Sequence, residues 1–225
     1  YEISLGLVGS EMCIRDRPYV TSKENAMEIS ASQVKELRDK TGAGFMECKA
    51  ALNETAGDLD GAVTLLRKRG LARAAKRAGR STGEGLIGSY IHMGGKIGVL
   101  IELNCESDFV ARTDEFQALL KDLSMHIAAA SPLYTSQEDV AVEAVEREKE
   151  IYRSQLADAN KPDHIIEKII EGKLGAYYEQ IVLVDQPFIK DPKITVGQLI
   201  ATTIAKLGEN ITVSRFSRFK VGETP

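Results

Sequence analysis

The sequence predicts an α+β protein, in which helices and strands are segregated along the chain rather than alternating. Short helical patterns fill the first part of the chain. Two apolar runs separated by Gly94-Gly95 then indicate a β-hairpin over residues 85–104. An alternating run over residues 210–221 indicates a final strand. We expect this strand to extend the hairpin into a small antiparallel sheet that packs against helices.

The composition is that of an ordinary globular protein, with 225 residues, 43% apolar and 28% charged. No apolar run approaches the roughly 18–20 residues that cross a bilayer, so no membrane partner is expected. A net charge of −4 argues against direct nucleic-acid binding. Three cysteines without a CxxC pair and three scattered histidines predict no structural metal site and no cofactor. The cysteine pattern also indicates a reducing compartment, and we expect a cytoplasmic protein.

The first residues, 1–26, are expected not to belong to the native chain. Back-translation of residues 7–17 gives a string that resembles a sequencing-library adapter. Residues 23–27 can be back-translated as a bacterial ribosome-binding site followed by a start codon at Met27. The alternative is a disordered N-terminal extension. We therefore expect the native chain to begin at Met27.

Three short helices are predicted within residues 27–70. Ser30 and Gln33 fit a capping box at the start of the first helix, and the glycines of Thr41-Gly42-Ala43-Gly44 break it. A second helix follows, and a third is expected to stop at Gly70. So small a core is marginal by itself.

A basic linker is predicted over residues 71–84. The surrounding run from Arg67 to Arg80 carries seven basic residues and no acidic one. A contact with a phosphate backbone is one interpretation. A solvated helical linker is the other, and the acidic character of the remaining chain favours it.

Residues 85–225 are predicted to form an α+β core domain, with a helical insertion at about 136–185. The hairpin's second strand, Lys96 to Asn104, is apolar almost throughout, so both of its faces are expected to be covered. The helix that begins near Thr113 should end at Ser131-Pro132. A further helical run is predicted over residues 196–207.

Motifs for covalent chemistry are missing from the sequence, which contains no phosphate-binding loop and no HExxH pattern. Cys105 could act as a nucleophile with His92 or His126 as its base. A small buried core residue is the favoured alternative, because free cysteine is usually packed inside. We therefore expect a protein that is not an enzyme.

Several segments, taken together and in order, resemble the bacterial elongation factor Ts family in its short form. They are VKELRDKTGAGFMECKAAL (residues 34–52), LRKRG (66–70), NCESDFVAR (104–112), MHIAAASPLY (125–134), LVDQPFIKD (183–191), TVGQLI (195–200) and RFKVGE (218–223). The resemblance implies that the first module has a ubiquitin-associated-like fold. It also implies that the chain is a nucleotide exchange factor, which binds elongation factor Tu in its GDP form and promotes GDP release.

The resemblance also implies roles for individual residues. Ser107, Asp108, Phe109 and Val110 match the family segment that dislodges Mg²⁺ from the partner, with Asp108 and Phe109 as the intruding pair. Ser107 stands where the family usually has threonine. The residues implied to bind the partner through the first module are Val34, Arg38, Phe45, Met46 and Lys49.

The environment of Phe109 has two interpretations at this stage. Its ring either protrudes as a wedge, as the resemblance implies, or caps the hairpin as a core residue. A rival for the whole chain is a pure binding module that leaves the partner's nucleotide unaffected.

The resemblance finally implies an oligomer. GSYIHMGGKIGVLIEL (residues 88–103) resembles the strands of a second core subdomain that some family members carry, whereas NCESDFVAR resembles the first subdomain. The chain therefore has a single merged core. We expect a homodimer whose symmetry supplies the other half.

Overall fold

The computed structural model describes residues 29–156 and 162–223. The expectation of a non-native segment at residues 1–26, with a start at Met27, lies outside the described residues. The helices are α1 Ala31–Thr41, α2 Phe45–Glu54, α3 Leu59–Arg77, α4 Asp108–Ala111, α5 Asp114–Ala130, α6 Val142–Leu156, α7 Asp163–Ile181 and α8 Val196–Leu207. The strands are β1 Glu84–Ile91, β2 Ile97–Cys105, β3 Pro187–Phe188, β4 Asp191–Thr195 and β5 Ile211–Lys220.

A three-stranded antiparallel sheet in the order β1–β2–β5 confirms the α+β class and the role of the final strand. In the register of the sheet, Gly88 lies opposite Ile101, and Ile101 lies opposite Phe216. The chain's last strand therefore pairs with the central one. A second, two-stranded sheet joins β3 to β4.

One face of the sheet is covered by α5 and α8. The side chains that alternate along β2 on this face are Val99, Ile101, Leu103 and Cys105, and all are buried. Gly88 allows the close approach of α5, since a Cβ at that position would lie 2.7 Å from Leu120 Cγ. The sheet and these two helices form the main hydrophobic core.

The opposite face of the sheet has no such cover among the described residues. Ile87 is 72% exposed, Leu100 is 50% exposed and Phe219 is 68% exposed. The expectation that both faces of the second strand are covered is therefore wrong for the single chain. A continuous apolar run is typical of strands between two helical layers, but here the helices pack on one side only. We call this exposed surface the outer sheet face.

Helices α1 to α3 pack together as a three-helix module. Ser30 caps α1 in a capping box with Gln33, and Gly42 ends the helix in the left-handed conformation at φ 65°. The module has its own small core, which contains Val34, Leu37, Cys48, Ala51, Leu52, Ala62 and Leu66.

The third helix does not stop at Gly70 as predicted. It continues to Arg77, and Gly70 lies buried within it. Burial explains the difference, because a glycine in a helix interior can serve close helix packing instead of ending the helix. Residues 71–77 of the predicted linker are therefore helical.

The basic run along α3 is partly neutralised by neighbouring carboxylates. Arg69 pairs with Glu54 at 2.6 Å, and Arg73 pairs with Glu47 at 2.6 Å. Both pairs join α3 to α2. This arrangement agrees with a helical linker more than with a surface reserved for phosphates.

The predicted insertion contains the helical hairpin of α6 and α7. Arg153 of α6 pairs with Glu167 of α7 at 3.3 Å, and Lys173 Nζ lies 4.9 Å from the centre of the Tyr152 ring. None of the helices within residues 29–156 and 162–223 is long and apolar enough to cross a bilayer.

Candidate functional site: an exposed ring on a fixed mount

The short helix α4 directly follows the central strand and separates two kinds of side chain. Val110 and Ala111 are buried at 5% and 3% exposure, whereas the Phe109 ring is 76% exposed. The alternative that Phe109 is a core residue is therefore wrong. The two buried residues anchor the helix in the main core, and the ring projects from it into solvent.

The backbone before Phe109 is fixed by a carboxylate from a distant part of the chain. Glu209 lies in the turn between α8 and β5 and accepts the Ser107 N–H at 2.9 Å and its hydroxyl at 2.6 Å. Ser107 is also the N-cap of α4, since its hydroxyl accepts the Val110 N–H at 3.5 Å. One side chain therefore holds both the start of α4 and its capping residue.

The neighbouring residues repeat this exchange in the opposite direction. The Glu106 carboxylate accepts the N–H of buried Asn210 at 2.7 Å. Asn210 in turn donates its side-chain amide to the Arg80 carbonyl at 2.9 Å, in the segment that leads into β1. The turns before α4 and before β5 are therefore tied to each other and to the end of the basic run.

Asp108 lies beside the ring and is paired within its own segment. Arg112 Nη2 contacts Asp108 Oδ2 at 2.7 Å, and the two side chains are 77% and 63% exposed. Exposed ion pairs contribute little stability, typically about 0–1 kcal/mol. The Asp108 carboxylate is therefore balanced in the free protein but readily available to a partner.

The first module presents a second exposed surface. Phe45 and Met46, in the first turn of α2, are 48% and 71% exposed. Arg38 and Lys49 are exposed as well. Val34 is the exception: it is 2% exposed in the module core, so we correct its expected role from direct contact to support behind the surface. We call Arg38, Phe45, Met46 and Lys49 the module surface.

Cys105 is a packed thiol rather than a nucleophile. It is fully buried, and its Sγ donates to the Ser107 carbonyl at 3.0 Å. Burial, followed by the nearby Glu209 charge, raises the pKa of the Cys105 thiol. Such a shift disfavours the reactive thiolate.

His126 is occupied elsewhere in the core. Its ring is fully buried, and Nε2 contacts Gln186 Oε1 at 2.9 Å. Burial lowers the pKa of His126. His92 is exposed, and its Nδ1 lies 3.1 Å from the Tyr90 hydroxyl. Within the described part of the chain, no cluster of three or more His, Cys, Asp and Glu could hold a metal ion.

We call Glu106, Ser107, Val110, Glu209 and Asn210, which fix the segment around Phe109, the mount. Two of them, Glu209 and Asn210, were missed from the sequence. Their partners Ser107 and Glu106 lie 102 and 104 positions away. The local signal was modest: a polar pair directly after the glycine that ends α8 and before the final strand. Such a pair is typical of any turn, so only the fold reveals its function.

Known proteins share most of this sequence. A family model described as Elongation factor TS matches residues 19–223. Elongation factor Ts of Koribacter versatilis (strain Ellin345) is 60% identical over 197 residues, which cover 88% of this chain and 90% of that protein. Elongation factor Ts of Geobacter sulfurreducens is 59% identical, with 88% and 91% covered. Elongation factor Ts of Thermosipho melanesiensis is 60% identical over 195 residues, which cover 87% of this chain and all of that protein.

The matched region takes in the module, the sheet and the mount of Phe109 alike. An identity of 59–60% holds across these relatives from different bacteria, and it extends over 90–100% of their length. The chain therefore belongs to the elongation factor Ts family.

Proposed function

We propose that this chain releases GDP from elongation factor Tu by driving the Phe109 ring between elements that hold the partner's Mg²⁺ and phosphates. Members of the elongation factor Ts family are guanine-nucleotide exchange factors for elongation factor Tu in translation elongation. The observation that carries the mechanism is the 76% exposed ring of Phe109 beside buried Val110.

The chemistry of the partner explains why a wedge is sufficient. A GTPase of this class holds GDP through backbone amides, a lysine and a Mg²⁺ bridged to phosphate oxygens. Mg²⁺ requires nearly ideal octahedral geometry, so a small displacement of its ligands weakens binding strongly. Packed elements move between discrete arrangements rather than bend continuously. A ring inserted beside them can therefore release the nucleotide without touching it.

Energetic linkage sets the size of the effect. If the chain lowers GDP affinity a hundredfold, GDP lowers the affinity of the chain for its partner by the same factor. This coupling corresponds to about 2.7 kcal/mol. A single aromatic anchor at the centre of an interface commonly contributes 2 kcal/mol or more. Phe109 is thus large enough for the task. The chain binds the GDP form more weakly than the nucleotide-free partner, and exchange passes through the transient complex of all three.

Asp108 has a role beside the ring. Its carboxylate competes for the groups around the partner's metal or repels the metal's acidic neighbours. The pair with Arg112 is exposed on both sides, so opening it costs little. On binding, Asp108 exchanges Arg112 for groups on the partner.

Ser107 and Val110 act as the mount of this pair rather than as contacts. Ser107 is held by Glu209 through two hydrogen bonds, and Val110 is buried in the main core. A rigidly mounted side chain delivers its binding energy to the partner instead of losing it to its own rearrangement.

The module surface forms the second contact with the partner. Phe45 and Met46 provide exposed apolar side chains, and Arg38 and Lys49 flank them with positive charge. Apolar anchors surrounded by polar groups are the usual composition of a protein interface. Binding at two separated sites increases affinity through effective concentration.

The outer sheet face supports a homodimer. Its exposed apolar side chains are Ile87, Ile91, Leu100 and Phe219, with Met93 and Val221 at one end. Exposed apolar patches of this kind mark interaction surfaces. A two-fold dimer buries the same patch on both subunits, and it carries two GTPases on two exchange factors. We propose the cytoplasm as the site of action and no direct contact with nucleic acid.

The test is the rate of GDP release from elongation factor Tu, measured by stopped flow with a fluorescent GDP. The wild-type chain should accelerate release strongly. Phe109→Ala should reduce the acceleration by on the order of a hundredfold, because it removes the anchor. The free energy of unfolding should change little, because the ring is exposed.

A matched control uses a similarly exposed apolar residue that lies outside the Phe109 segment, the module surface and the outer sheet face. Leu133 is 69% exposed, and Leu133→Ala should release GDP at the wild-type rate. Unchanged release at saturating wild-type chain would reject the exchange mechanism. Equal rates for Phe109→Ala and wild type would reject the wedge.

A further inference from the structure

Helix α3 belongs to both hydrophobic cores. Its first half contributes Ala62 and Leu66 to the core of the module. Its second half contributes Ala74 to the main core beneath the sheet. A continuous helix of 19 residues joins the two, so the module is attached by a stiff element rather than by a flexible linker.

The last turns of α8 add a second connection to the module. Helix α3 packs on α8 at Gly70, where an added Cβ would already be in van der Waals contact with Ala205 Cβ at 3.4 Å and a longer side chain would collide with it. The next residue, Lys206, lies over Gly42, where a Cβ would be 2.6 Å from Lys206 Cε. Two glycines of the module therefore receive two consecutive side chains of α8.

The same end of α8 also carries the mount of Phe109. Gly208 ends the helix, and Glu209 follows it and holds Ser107. Only a few residues therefore separate the contact with the module from Glu209, whose carboxylate fixes Ser107 in front of the Phe109 ring. On the module side, Arg73 pairs with Glu47 at 2.6 Å and links α3 to the helix that begins with Phe45.

We propose that residues 205–209 form a mechanical bridge that fixes the module surface relative to Phe109, with Gly70 as a positioning residue. The inference rests on the proposed exchange function. In that function, the module does more than add affinity. Its binding to the partner sets the position at which the Phe109 ring meets the partner. Packed side chains and rigid elements can carry coupling between distant sites. The end of α8 contacts Gly42 and Gly70 on the module side and Ser107 before the Phe109 ring on the other.

The first experiment measures GDP release as a function of chain concentration. Gly70→Leu should push α3 away from Ala205 and shift the Phe109 ring relative to the module surface. The maximal release rate should fall by on the order of tenfold, because small misplacements of a reacting group are costly. The half-saturating concentration should change less, because both contact surfaces are intact. Equal maximal rates for Gly70→Leu and wild type would overturn the inference.

Two further variants separate positioning from a loss of folding. Ala72→Leu adds the same side chain at an exposed position of α3 and should keep the wild-type rate. Adding Ala205→Gly to Gly70→Leu should restore part of the maximal rate by returning space at the crossing. Failure of this rescue in a folded double variant would contradict the bridge.

A coupling measurement provides a readout that simple destabilisation would not change. In the wild-type background, Met46→Ala should lower the maximal release rate as well as the affinity, because the module aims the wedge. In the Gly70→Leu background, Met46→Ala should lower the affinity alone. Identical effects in both backgrounds would show that the module and the wedge act independently.

A distance measurement tests rigidity without any partner. Spin labels on cysteines introduced at exposed Lys35 and Lys121, in a Cys13→Ser chain, should give one narrow distance distribution. Gly70→Leu should shift it. A broad distribution in the wild-type background would overturn the bridge even if Gly70→Leu fails to fold. A narrow distribution in a chain that does not release GDP would instead reject the proposed function and leave the bridge intact.

Discussion

Glu209 accepts both the backbone N–H and the hydroxyl of Ser107, although 102 positions separate the two residues. The carboxylate lies in the turn before the last strand, and the serine lies just after the central strand. The exposed Phe109 ring is therefore set by the C-terminal part of the chain as much as by its own segment.

The two hydrogen bonds that Glu209 accepts from Ser107 predict the effect of Glu209→Ala. The substitution leaves the Ser107 N–H and hydroxyl without their acceptor and should lower the free energy of unfolding by about 2 kcal/mol. GDP release should slow as well, because α4 loses its fixed start. Urea unfolding and stopped-flow release measure the two effects. Glu209→Gln keeps one acceptor oxygen and should lose less; wild-type behaviour of both variants would show that these hydrogen bonds are dispensable.

His126 predicts a pH dependence of stability. The Gln186 amide donates to the Gln180 carbonyl at 2.8 Å, so its oxygen faces His126 and the imidazole donates from Nε2. Nδ1 then accepts the Ile189 N–H at 3.4 Å. The folded protein therefore holds a neutral ring, and burial lowers the pKa of His126 below 6.5.

The direction in which the free energy of unfolding changes with pH follows from proton uptake. As the pH falls through about 6.5, the unfolded chain binds the proton before the folded chain does, so the free energy of unfolding falls. We expect this loss to set in as the pH falls from about 7 through about 6.5, above the range in which most carboxylates titrate. Urea midpoints across this window should lose the slope in His126→Gln and keep it in His92→Gln, whose ring is exposed. A persistent slope in His126→Gln would assign it to another group.

The buried thiols predict slow modification. Cys48 and Cys105 are both buried, and burial raises the pKa of Cys105. In a Cys13→Ser chain, a thiol reagent such as DTNB should react only after denaturant is added. Fast reaction of the native chain would revive the nucleophile interpretation of Cys105, and Cys105→Ser would identify the thiol responsible.

The outer sheet face predicts an effect on oligomeric state. Leu100 lies near its middle and is 50% exposed, and Leu100→Glu places a charge where two copies are proposed to meet. Light scattering at micromolar concentration should give a dimer for the wild type and a monomer for Leu100→Glu. Val142→Glu alters a residue on α6 that is 70% exposed and should remain dimeric. A monomeric wild type would contradict the dimer.

The sequence predicted those features whose signals lie close together along the chain. The capping box of Ser30 and Gln33, the left-handed Gly42 and the hairpin turn each depend on residues within about one turn. The helix predicted over residues 196–207 has the bounds of α8. Local propensity and periodicity are enough for such elements.

Features decided by packing could not be predicted in this way. Gly70 has the local signature of a helix end, yet α3 continues to Arg77, and Gly70 lies buried where α3 packs on α8 at Ala205. The apolar pattern of β2 does not reveal that helices cover only one face. The residues around Phe109 alone favour a core position, because a large aromatic ring at a strand end is more often buried than exposed.

The order of the strands in the sheet has a consequence for folding during synthesis. β5 is made last, yet it pairs along the central strand from Ile97 to Cys105, and Glu209 precedes it by two positions. Glu209 and β5 follow the central strand by about a hundred positions. We therefore expect the segment before Phe109 to become fixed only after this later part of the chain has been synthesised and has paired, and long-range pairing of this kind is slow to form.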